Sequence, residues 1–253
     1  MSYQVLSRQT HQNLRLRTPA QHWGFARDRG FVGLVGAELG EAARTMPVVF
    51  RVHEDQAALV GLMGFGPNNL FVDANGQWQV PYIPGVLRAW PFALVPKDDQ
   101  QVVVIERDSD FFDTEEGELL FDAQGEPGER LKKIVEFLRV MAQQEALTQR
   151  AVAAIRSLKL LVPWEPVVKR GDGQPMRLQG LFMVDQKAFG ELSDEDFLTL
   201  RREGALPLVY AHSLSLRSVT VLEQLARRQA QASEPATVAL PDAPEFTDDY
   251  LKF

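Results

Sequence analysis

The chain has 253 residues, 45 % of them apolar, and a formal charge of −7 from 27 basic and 34 acidic side chains. That length and apolar fraction can fill one sizeable core, and the absence of cysteine removes disulfide frameworks, thiolate metal sites, iron–sulfur clusters and cysteine nucleophiles together. The acidic balance offers no basic footprint for phosphate neutralisation, which argues against nucleic acid as a partner.

In chain order, the first six residues lack the charged segment and apolar run of a signal peptide. No later window reaches the roughly 18 apolar residues of a membrane span, so a cytoplasmic protein is expected. Residues 1–30 are polar and irregular, with loop signals at Thr18-Pro19 and Trp23-Gly24. Residues 31–35 read as a short strand and 38–45 as one or two helical turns stopped before Pro47. Residues 48–53 and 57–65 read as two strands around Glu54-Asp55-Gln56, the start of a β meander. A hairpin is expected over 70–73 and 77–80, because Asn75-Gly76 supplies the positive φ angles of a tight turn. Pro81, Pro84 and Pro91 then forbid regular central-strand pairing, leaving 82–92 extended but irregular. Residues 101–105 and 119–122 read as strands.

From 129 to 162 the apolar period changes from two to about 3.6, predicting one long helix or a helical hairpin bent near Gln149, ended by Pro163. Residues 167–169 and 177–184 flank a second turn at Gly171-Asp172-Gly173. Ser193, with Asp196 three residues on and Leu192 and Phe197 placed as a hydrophobic staple, predicts a helix that stops at Gly204. Residues 208–210 read as a brief strand, and a last helix runs from Ser215 to about Gln231. The expected fold is α+β: antiparallel meander and hairpins packed with one long central helix and two shorter C-terminal helices. Residues 1–231 would form one domain. Residues 232–253, with three prolines and five carboxylates set against Lys252, would form a flexible acidic tail.

No phosphate loop, dinucleotide fingerprint, nucleophile elbow or HExxH motif is present. Asp73-Ala74-Asn75-Gly76 imitates a calcium loop, but Pro84 stands where its bidentate glutamate belongs. Arg170-Gly171-Asp172 reads as turn chemistry. His53, Asp55 and His212 have the order of a two-histidine, one-carboxylate iron site, which keeps a non-haem iron oxygenase as an alternative reading. Residues 68–96 are different in kind: Phe71, Trp78, Tyr82, Trp90 and Phe92 alternate with prolines around one guanidinium, Arg88. Rigid aromatic surface with a fixed cation can recognise peptide, carboxylate or sugar. The same residues can equally be core.

The succession Gly66-x-Asn68-Asn69-Leu70-Phe71-Val72-Asp73, Gly76-x-Trp78, Tyr82-Ile83-Pro84 and Leu87-Arg88-x-x-Pro91-Phe92 resembles the signature of the SapC family. The likeness continues through Gly180-Leu181-Phe182 and Tyr210-Ala211-His212-Ser213-Leu214, and is clearest from 46 to 225. This family of bacterial proteins is named after a surface-layer gene cluster and has no settled molecular activity. Its members often accompany halogenase-like proteins and outer-membrane receptors. The resemblance therefore implies a non-catalytic accessory or binding protein that recognises a protein, peptide or small surface-derived molecule and needs no cofactor. The expected contacts are Asn69, Trp78, Tyr82, Arg88, Trp90 and Phe92, with a second docking element in the tail at Phe246, Asp248, Asp249, Tyr250 and Phe253. A surface-layer component is the remaining alternative, although that role requires export.

Overall fold

The computed structural model describes residues 2–54, 56–98 and 100–233. It opens with β1 (Tyr3–Val5), α1 (Arg8–His11) and β2 (Arg15–Leu16), where the polar pattern suggests irregular chain. These pieces are too short to carry a period of their own and are fixed by distant partners: Tyr3 pairs with Glu106, and Leu16 with Phe112 and Glu118. β3 (Phe31–Gly33), α2 (Leu39–Thr45), β4 (Val48–His53) and β5 (Gln56–Leu62) follow as their residues imply. α2 ends because Pro47 disfavours a helical Met46, which is extended at φ −142°. β4 and β5 pair antiparallel from Val48↔Gly61 to His53↔Gln56.

Next come α3 (Gly85–Arg88), β6 (Phe92–Lys97), β7 (Gln100–Glu106), β8 (Phe112–Asp113), β9 (Glu118–Leu119) and α4 (Glu129–Ser157). The chain continues with β10 (Leu161–Trp164), β11 (Val167–Lys169), β12 (Pro175–Arg177) and β13 (Leu181–Val184). It closes on α5 (Gln186–Gly190), α6 (Asp194–Arg202), α7 (Leu206–Ser215) and α8 (Val219–Ser233). The sheets run β10-β13-β4-β5-β3, β1-β7-β6, β8-β2-β9 and β11-β12, and every pairing between these strands is antiparallel. The protein is α+β, with a long helix laid against antiparallel sheet. No helix among the described residues is long and apolar enough to cross a membrane.

The five-stranded sheet is the organising layer. Strand alternation puts Val49, Arg51, Ala58 and Val60 on one face and Val48, Phe50 and Leu59 on the other. The second half of α4 lies against the first face, and α2 and α7 pack on β4 from the second. Two apolar clusters result. The larger contains Phe50, Met63, Phe71, Val152 and Ile155, the smaller Phe92, Ile105, Phe112, Leu131 and Leu138. α4 contributes to both.

Several expectations change. α4 is one 29-residue helix that runs through Gln149 without a break, and it ends earlier than Pro163. Lys159 takes φ +55° and donates to the Arg156 carbonyl at 2.8 Å, a left-handed stop. Residues 161–164 then turn into strand β10. Pro163 is tolerated there because β10 is an edge strand bonded only to β13. Residues 208–210 belong to α7 and not to a strand: a three-residue apolar run has no readable period, and Pro207 in the first helical turn is the start signal. The last helix begins at Val219, after a 3₁₀ turn at Leu216–Ser218, and the C-terminal part holds four helices rather than two. The 177–184 strand splits at Gly180, φ +74°, so that its two halves join different sheets. The 70–80 hairpin shrinks to a single bridge, Val72↔Trp78.

Candidate functional site

Residues 68–96 leave the end of β5 and cross the molecule to β6. Their first anchor is Asn69, which is buried: its amide donates to the Ala26 carbonyl at 3.1 Å and its Oδ1 accepts the Phe71 N–H at 2.8 Å. With its amide nitrogen and its amide oxygen both bonded to backbone, Asn69 is a loop staple and not the contact residue that the motif suggests. Asp73 Oδ1 accepts the N–H groups of Asn75 and Gln77 at 2.9 and 2.8 Å, an Asx turn that explains the calcium-loop imitation. Gly76, at φ +72°, lies against Gln21. Trp78 is half-buried between Trp23 and Phe71, with ring centroids 5.6 Å away in both cases, and its indole N–H donates to the Tyr82 carbonyl at 3.0 Å.

Tyr82 meets a carboxylate that the motif reading did not single out. Glu38 is buried; its Oε1 accepts the Tyr82 hydroxyl at 2.5 Å and the Gly85 N–H at 2.6 Å, and its Oε2 accepts the Val35 N–H at 3.0 Å. Burial, and then the Glu38 carboxylate, push the Tyr82 phenol far above its ordinary value, so it stays a neutral donor. Glu38 thereby fixes the start of α3. A glutamate in a helix-opening stretch gives no sequence signal for this role, because its partners lie 44 and 47 positions away.

Past that anchor the segment reaches the surface. Val86 is 46 % exposed. Arg88 is exposed, with its guanidinium 5.0 Å from the centre of the Phe137 ring on α4. Trp90 stacks on Phe25 at 4.8 Å and 7°, with Arg29 over its ring at 4.9 Å, and its buried Nε1 has no hydrogen-bond partner among the described residues. Phe92 is 4 % exposed and packs edge-on to Phe112, so it supplies wall and not contact area. A groove of about 360 Å³ runs between Val86, Ala89 and Leu94 on one side and Leu138 and Met141 of α4 on the other, with Gly85 at its floor. A side chain at Gly85 would meet Met141 Sδ at 2.8 Å and Glu38 Oε1 at 3.1 Å. Glycine there keeps the groove open.

The iron-site alternative does not survive the geometry. His212 is fully buried, its Nδ1 is 2.7 Å from the Val48 carbonyl and its Nε2 accepts the Val184 N–H at 3.1 Å. The first contact makes Nδ1 the protonated nitrogen, and the one lone pair, on Nε2, is taken by the Val184 N–H, so none remains for a metal. His212 also packs on Phe50. His53 lies three residues along the same strand and projects from the opposite face of the sheet. Asp55 lies outside the described residues, as do the tail positions Phe246, Asp248, Asp249, Tyr250 and Phe253. Among the described residues no group of three or more histidine or carboxylate side chains is placed to hold a metal.

Fold and segment together define an α+β protein whose aromatic and proline-rich stretch is half core, half groove. The SapC family model matches residues 6–222, and the chain belongs to the SapC family. The match begins well before residue 46, where the residue likeness becomes clear, and so takes in β2 and β3. No curated protein and no solved structure was found to match the chain.

Proposed function

We propose that this SapC-family chain is a cytoplasmic, non-catalytic accessory protein that recognises a partner protein or peptide through the groove between α3 and α4. The observation that carries this reading is the division of labour within residues 82–92. Tyr82 and its carboxylate partner are consumed in holding α3, while Val86 lines an apolar groove and Arg88 is exposed on the same short helix. What remains available is apolar area bordered by one carboxylate, Glu145 of α4, with the Arg88 guanidinium exposed on α3, the chemistry of contact and not of bond-making. A rigid floor lowers the ordering cost of binding. The cysteine-free composition suits a reducing compartment.

The test is a comparison of wild type with a Val86→Asp/Arg88→Glu double variant, each purified from the native cells and analysed for co-purifying proteins by mass spectrometry. Both substitutions are on exposed positions, so unchanged circular dichroism is expected, with at most a small drop in thermal midpoint from the lost Arg88–Phe137 contact. Selective loss of one or a few reproducible partners supports the reading. An identical set of partners with the double variant rules out this groove as the recognition surface.

A further inference from the structure

A sheet face covered by a helix is normally apolar, and the face of β4 and β5 under α4 starts that way with Val49 and Val60. Along the same face, toward the hairpin end, the residues become Arg51 paired with Ala58 and His53 paired with Gln56. α4 opposes them with Gln149, Val152, Ala153 and Arg156. Alanine on both sides leaves the layers unfilled, and the gap is a cavity of about 770 Å³. That size lies within the range of small-molecule sites, roughly 300–1,000 Å³. Departure from the patterning rule together with open space between layers marks a site and not a packing solution.

The groups that face the cavity have a consistent chemistry. The Arg51 guanidinium sits 4.3 Å from the centre of the Phe31 ring, which is itself 44 % exposed. That contact steadies the guanidinium and leaves its N–H donors unused: neither the Arg51 nor the His53 side chain has a hydrogen-bond or ion-pair partner among the described residues. Arg156 lines the helix side, no carboxylate lines the cavity among the described residues, and Val60, Val152 and Ala58 supply apolar wall. In a chain of net charge −7 the cavity is thus bordered by two guanidinium groups beside an apolar surface.

We infer that this cavity binds an organic anion: a carboxylate or phosphate held by Arg51, with His53 as a second donor, on a flat apolar body that lies against Phe31 and the alanines. It is a second site, independent of the α3 groove, and is separated from it along α4, which borders one with Leu138 and Met141 and the other with Val152 and Ala153.

Calorimetric titration of the full chain with 1-naphthoate, 1-naphthyl phosphate and uncharged 1-naphthalenemethanol at low salt tests this. Both anions are expected to bind about tenfold more tightly than the alcohol, and to weaken as salt is added. The stronger of the two identifies the head group that the site prefers. Arg51→Gln should lose about tenfold for the anions and leave the alcohol unchanged, while Arg51→Lys, which keeps charge without the planar fork, should fall between. Ala153→Phe, which fills the gap without touching a charge, should abolish binding of all three, and Val86→Asp should change none. Equal affinity for alcohol and anions, undiminished anion binding by both Arg51→Gln and Ala153→Phe, or no binding of any probe at millimolar concentration would overturn the inference. Loss of partners on Val86→Asp/Arg88→Glu with intact naphthoate binding, or the converse, separates this site from the α3 groove.

Discussion

His212 ties three elements together through one ring, its nitrogens meeting the Val48 carbonyl of β4 and the Val184 N–H of β13 from a position on α7. Burial lowers its pKa below the ordinary 6.5, with the Val48 carbonyl opposing in part. In the unfolded chain the ring regains its ordinary value, so below about pH 6.5 the unfolded state takes up a proton that the folded state resists. Stability is therefore full above that pH and is lost as pH falls through it. His212→Ala should cost about 3 kcal/mol at pH 7, from two buried backbone groups left unpaired and the cavity. It should also flatten the fall in stability between pH 7 and 5, although His11 and His22, lowered by burial too, retain part of that slope. Urea unfolding at a series of pH values measures both, and a variant with wild-type slope and less than about 1 kcal/mol of loss would show that His212 does not tie these elements together. Nothing in the sequence distinguishes this histidine from a catalytic one, since both need a neutral imidazole with oriented nitrogens.

At the scale of elements, α4 is the clearest feature in the sequence because its period persists for eight turns, whereas its position depends on one polar notch. Thr148, buried on the helix, accepts the Gly36 N–H at 2.7 Å and donates to the Gln144 carbonyl at 2.7 Å. Gly36 opens the turn that leads to Glu38, so the notch links the helix to the carboxylate that holds α3. Thr148→Val keeps the shape and removes the hydroxyl; a loss of about 1–2 kcal/mol is expected, with faster hydrogen exchange at the Gly36 amide. Thr148→Ser should restore most of the protection. Wild-type exchange in the valine variant would show that the contact carries no weight. The elements that pattern failed to place are the short ones. Residues 208–210 are apolar enough for either strand or helix, and β1 and β2 exist only because distant strands offer them hydrogen bonds.

Over the whole molecule, the two apolar clusters share α4, which gives Leu131 and Leu138 to one and Val152 and Ile155 to the other. A helix without a break between them couples their unfolding. Urea transitions followed by far-ultraviolet circular dichroism and by tryptophan fluorescence should coincide, since Trp90 packs against the smaller cluster and Trp78 against the larger. Two separated transitions would show that the clusters unfold independently.

Composition, period and turn chemistry were sufficient for the α+β class, the long helix, the β4–β5 hairpin and the Ser193 cap, because each depends on neighbours within a few positions. The family likeness was also readable from spaced motifs alone. The tertiary structure decided which of those motif residues face inward. Asn69, Phe92 and His212 are consumed in packing and backbone bonding, while Val86, Arg51 and Phe31 border open grooves and Arg88 is exposed. The physical reason is separation along the chain: the Glu38 carboxylate finds Gly85 47 positions away and His212 finds Val48 164 positions away. No local pattern encodes contacts of that length, and those contacts determine whether an aromatic or a histidine is core or surface.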